Sequence, residues 1–91
     1  MTIRYSDAAR ADLASIIALR IAQPLPDPLG FVRSLRDTIA RLDSISHPGR
    51  KGRVPGTLEW VIPQMPYIAV FTRKAGAVKV FRILHGAQQW P

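Results

Sequence analysis

The sequence predicts an α+β fold: a small β-α-α-β-β-β domain whose antiparallel sheet packs against an N-terminal helical hairpin. Three observations carry this expectation. Apolar residues keep helical spacing through most of residues 8–45. Three later runs, at 58–62, 67–72 and 78–84, are rich in Val, Ile, Phe and Tyr, the composition of strands. A short alternating segment, TIRY, opens the chain. Helices grouped before strands favour a layout in which two helices cover one face of a sheet. The length of 91 residues fits one domain over residues 1–91 with a core large enough to be stable.

Each element has a local cause. Residues 2–5 alternate, placing Ile3 and Tyr5 on one face. Ser6 supplies a hydroxyl N-cap, and Asp7 puts negative charge in the first turn. Ala9, Leu13, Ile16 and Ile17 continue a helical stripe, which Gln23-Pro24-Leu25-Pro26 ends because proline disfavours helix in the preceding residue. Asp27-Pro28 restarts the pattern as N-cap and first helical residue. Phe31, Leu35, Ile39, Leu42 and Ile45 then form one apolar stripe. Residues 46–56 (SHPGRKGRVPG) are turn formers and cations and read as a loop. The three strand-like runs follow, joined by connections short enough for an antiparallel meander. Phe31, Phe71 and Phe81 read as core.

Charge divides the chain in two. Residues 1–46 carry six arginines against five aspartates, a net of +1; residues 47–91 carry seven cations against Glu59 alone, a net of +6. A field of that sign attracts polyanions and offers places to hold phosphate. The absence of cysteine excludes a disulfide framework and a thiolate metal site. Two histidines without an acidic cluster give no metal site, and no cofactor motif is present. No apolar run approaches the ~20 residues that would cross a bilayer. The N-terminus lacks the apolar stretch of a signal peptide, so a cytoplasmic protein is expected.

Candidate functional residues lie in the basic half. Arg50, Lys51 and Arg53, with glycines beside them, suit phosphate oxygens; the plainer reading is a solvated basic turn. Their spacing is not that of a P-loop. His85 can move a proton near neutral pH or be a structural histidine at a strand end. Arg73 and Arg82 could stabilise a scissile phosphate if they reach the same rim. Arg82 and His85 stand an odd number of residues apart, on opposite faces of an ideal strand, so sharing a rim would take a bulge or the strand's end near Leu84. Trp90 and Trp60 could stack on a base or serve as a lid. RNA cleavage by its own 2′-OH needs alignment, cations and a proton-transfer group but no metal, whereas the same cations could bind an acidic protein and catalyse nothing.

The opening RYSDAARADLASI, the helical hairpin, HPGRKGRVPGTLEWVIP, PYIAVF and VFRILHGAQQWP together resemble the RelE/ParE superfamily of toxins from type II toxin–antitoxin modules. The segments at Gly49–Glu59 and Ile83–Pro91 look most like the RelE/StbE branch. The resemblance implies a compact sheet with a helical hairpin and a cognate antitoxin as partner. It further implies ribosome-dependent mRNA cleavage without a metal or, for ParE-type members, inhibition of DNA gyrase without catalysis. On the first alternative His85, Arg73 and Arg82 would be catalytic, and Arg50, Lys51, Arg53 and Trp90 would bind RNA. At Glu59, Val61 and Ile68 this chain lacks basic residues that RelE-type members carry.

Overall fold

Ser6 sets where the first strand becomes a helix. In the computed structural model, which describes residues 2–23, 27–43, 49–86 and 90, strand β1 (Thr2–Tyr5) leads into helix α1 (Asp7–Ala22). The Ser6 hydroxyl accepts from Ala9 N at 3.0 Å and donates to the Phe81 carbonyl at 2.7 Å, so one side chain caps the helix and ties it to the last strand. Asp7 in the first turn and Arg20 in the last complement the helix dipole. Ala9, Leu13 and Ile16 form the buried stripe of α1.

Helix α2 (Pro28–Ala40) begins where Asp27-Pro28 predicts. The Asp27 carboxylate accepts from Gly30 N at 2.9 Å, with its own backbone left-handed at φ 53°. Val32, Leu35 and Ile39 are buried, and the stripe extends to Leu42 in the 3-10 turn Arg41–Asp43. The proline-rich break at 24–26 and Ile45 lie outside the described residues.

The sheet has five strands in the order β1-β5-β4-β3-β2, with β2 at Arg50–Lys51, β3 at Leu58–Val61, β4 at Tyr67–Lys74 and β5 at Ala77–His85. Strands β3, β4 and β5 form the expected antiparallel meander, while β1 runs parallel to β5. Strand β2 corrects the loop assigned to residues 46–56: Arg50 pairs with Glu59 and Lys51 with Leu58. Gly49 makes the pairing possible. Its φ of +83° suits glycine, and a Cβ there would lie 2.1 Å from the Glu59 carbonyl oxygen.

Alternation sorts the strands onto two faces. Tyr67, Ala69, Phe71, Val78, Val80 and Ile83 join Leu13, Ile16, Leu35 and Ile39 in the core between sheet and helices. Ile68, Val70 and Leu84 form a smaller cluster on the outer face, with Trp90 packed against it. Val70 pairs with Arg82 but Phe71 pairs with Val80, which leaves Phe81 as an extra residue in β5. Phe81 is not core as expected: it follows the inward-facing Val80 and so turns to the other face. It is half-exposed and lines a cavity on the outer side of the sheet, whereas Phe71 is fully buried and Phe31 packs at the core's margin.

Candidate functional site

A lone acid organises the basic loop. Glu59 pairs with Val70 on the outer face of β3 and is only 1% exposed. Its carboxylate accepts from Arg53 N at 2.8 Å and from Arg53 Nε at 3.2 Å, and the Arg50 guanidinium approaches to 3.7 Å. Burial pushes the Glu59 carboxyl up, but the Arg53 backbone N–H, the Arg53 guanidinium and the Arg50 charge outweigh burial and hold it below the usual value. Arg53 also donates to the Trp90 carbonyl at 3.4 Å. The loop, for which a solvated basic turn was the plainer reading, is thus bonded to the sheet and to Trp90. Arg50 and Lys51 keep their side chains exposed, while most of what Arg53 can donate goes to Glu59 and Trp90.

The three catalytic candidates do not converge. Arg73, at the far end of β4, donates to the Leu42 carbonyl at the end of the second helical segment, and its Nε is buried without a hydrogen-bond partner. It satisfies a carbonyl that the helix end leaves open. Arg82 forms a fork with Asp12: Nε to Oδ2 at 2.8 Å and a terminal nitrogen to Oδ1 at 3.0 Å. Ile83 N adds a third bond to the same carboxylate at 2.8 Å. The hydrogen bonds to Asp12 raise the Arg82 pKa further, so it stays charged. Arg82 stands opposite outer-face Val70 in the ladder, yet its side chain is tied to Asp12 of α1.

His85 pairs with Tyr67 at the opposite end of the same ladder from Arg73. Tyr67 and Arg73 stand six residues apart on β4, which at 3.4 Å per residue is about 20 Å. The His85 ring meets the Tyr67 ring edge-on at 6.0 Å between centroids. Both line a cavity of about 260 Å³ with Asp12, Ser15, Ile16 and Leu19. The bulge lies before both residues, so Arg82, opposite Val70, and His85, opposite Tyr67, stay on opposite faces of β5, and the Arg82 side chain is already paired with Asp12.

Trp90 packs on Ile68, Val70 and Leu84, and Trp60 packs on the helix-side core. Ala87, Gln88 and Gln89 of the terminal motif lie outside the described residues. Among the described residues no group of three potential metal ligands comes together, and no helix is long and apolar enough to cross a membrane.

Sequence reasoning missed two anchors. Asp12 lies three residues after Ala9 and four before Ile16, on the buried stripe of α1, where an acid signals a partner across the interface. Glu59 stands alone in the +6 half between Leu58 and Trp60, and the arginines six and nine residues before it were the clue to a buried ion pair.

The family model described as the ParE toxin of a type II toxin-antitoxin system, parDE, matches residues 3–90. Among solved structures, the chain is similar to one titled "Chromosomal ParDE TA system from P. aeruginosa", with a TM-score of 0.82 and 24% identity over 93% of this chain and 95% of that one. That likeness establishes the shared fold of two helices against a mostly antiparallel five-stranded sheet. No curated protein matches the chain in sequence. Nothing in the match singles out the RelE/StbE branch that the loop and terminal motifs resemble. With the family match running over nearly its whole length, this chain belongs to the ParE toxin family of type II toxin–antitoxin systems.

Proposed function

We propose that this toxin acts by binding rather than by catalysis, and that its target is DNA gyrase engaged with DNA. The observation that carries this reading is the dispersal of the catalytic candidates. Arg73 holds a helix end, Arg82 is forked onto Asp12, and His85 lies about 20 Å from Arg73. In-line phosphodiester cleavage needs cations and a proton-transfer group within hydrogen-bond reach of one phosphate. Membership in the ParE family supports the same choice, since ParE-type members of the superfamily act on gyrase. The partner is a cognate antitoxin, acidic where it meets the basic half of the chain; the similar structure is titled as a ParDE system. A cytoplasmic site of action follows from that target.

The mRNA-cleavage reading makes a different prediction for the same protein. On the gyrase reading, purified toxin is expected to inhibit gyrase supercoiling and accumulate cleaved DNA, and His85→Ala to retain that inhibition within about twofold. Cleavage of mRNA in a translation extract, abolished by His85→Ala, would overturn the proposal.

A further inference from the structure

The outer face of the sheet carries a second arrangement of cations, apart from the loop. Ile3, Tyr5, Val78 and Val80 belong to the helix-side core, so Arg4 and Lys79, which alternate with them, point outward. Arg4 pairs in register with Lys79, and Lys79 pairs with Thr72 on the next strand. Two like charges set opposite each other on adjacent strands repel, and nothing in the sheet requires them there. Arg10 of α1 joins Arg4 and Lys79 around an open cavity of about 800 Å³ in which Asp7 is the acid.

The row of cations continues into an aromatic slot. Thr72, Lys74, Phe81 and Trp90 line a cavity of about 400 Å³ together with the turn at 54–57. The Lys79 ammonium stands 5.2 Å from the Phe81 ring centroid, which joins cations and aromatics into one surface. Glu59 on this face is buried and already committed to Arg50 and Arg53. A cationic track beside aromatic walls is what a sequence-tolerant single strand requires: phosphates follow the cations and a base enters between the rings. An acidic peptide would satisfy the cations but leave the Phe81–Trp90 slot unused.

We infer that this face binds single-stranded nucleic acid, with a base in the slot formed by Phe81 and Trp90 and the adjoining phosphates on Lys74, Lys79 and Arg4. The inference goes beyond the gyrase reading and stands or falls separately from it. The test is fluorescence anisotropy of the full-length protein with a labelled oligothymidylate of about 12 nucleotides, a length within the range such surfaces cover. The matching duplex, an oligouridylate and polyglutamate serve as competitors. The single strand is expected to bind more tightly than the duplex, and Lys79→Ala and Arg4→Ala each to lower the salt slope by about 0.7. Phe81→Ala and Trp90→Ala are expected to weaken binding by about fivefold or more, and Trp90→Phe to restore most of it. Because Trp90 also packs on the sheet, the half-exposed Phe81 and the exposed Lys79 keep the test independent of folding. Preference of the site for either sugar, read from the oligouridylate, fits the same chemistry. Equal binding of duplex, equal competition by polyglutamate, or a salt slope unmoved by Lys79→Ala and Arg4→Ala would overturn the inference.

Discussion

Glu59 gathers four hydrogen bonds or ion-pair contacts onto one carboxylate and Asp12 three, and their removal separates structural from functional charge. Asp12→Asn halves the fork to Arg82 and is expected to cost about 2 kcal/mol, read as a lower urea midpoint at constant slope. Glu59→Gln is expected to cost a similar ~1–3 kcal/mol. It should also change the pH dependence in a defined direction. Because the folded carboxyl lies below its unfolded value near about 4.3, it contributes stability above that pH. The contribution is lost as pH falls from there through the folded value. Thermal melts between about pH 5 and pH 2 should therefore decline less for Glu59→Gln than for the parent protein. The same bonds decide what charge reversal in the loop would do. Arg53→Glu sets a carboxylate against buried Glu59, so loss of stability is expected, whereas Arg50, with its side chain 64% exposed, can be replaced cleanly.

Among the elements, the β4–β5 turn shows a local conflict that a substitution can resolve. Ala75 and Gly76 both have positive φ, 49° and 77°, the geometry of a two-residue type I′ hairpin. Alanine is poorly suited to that region, so Ala75→Asn, which makes Asn-Gly, is expected to raise stability by about 0.5–1 kcal/mol in thermal unfolding. The elements legible in the sequence were those with local signals: the Ser6 and Asp27 caps, the end of α1 at Ala22, and the three β-branched runs. Strand β2 was not legible, because two residues, Arg50 and Lys51, carry no periodicity and pair only through the backbone freedom of Gly49. The bulge at Phe81 was equally hidden, since an extra residue in an apolar strand looks like continued strand. Its effect on the site was large: it set Arg82 opposite Val70 and brought Ile83 and His85 to the helix side, opposite Ala69 and Tyr67.

For the molecule as a whole, the charge excess of the second half was visible from composition, but its division was not. Part of it is internal, with Arg53 and Arg82 bound to carboxylates and Arg73 to a helix end. What remains for a partner is Arg50, Lys51, Lys74 and Lys79, extended by Arg4 and Arg10 from the first half. Association with an antitoxin that is acidic, as proposed, should therefore slow as salt rises, while dissociation changes little; stopped-flow mixing at several ionic strengths measures both. The central claim is that the basic surface blocks gyrase without catalysing any reaction. The most direct measurement is a supercoiling assay with purified gyrase, run with the parent toxin and His85→Ala. The expected result is inhibition with trapped, cleaved DNA by both proteins at concentrations within about twofold. Unimpaired supercoiling by gyrase in the presence of folded toxin would contradict the account.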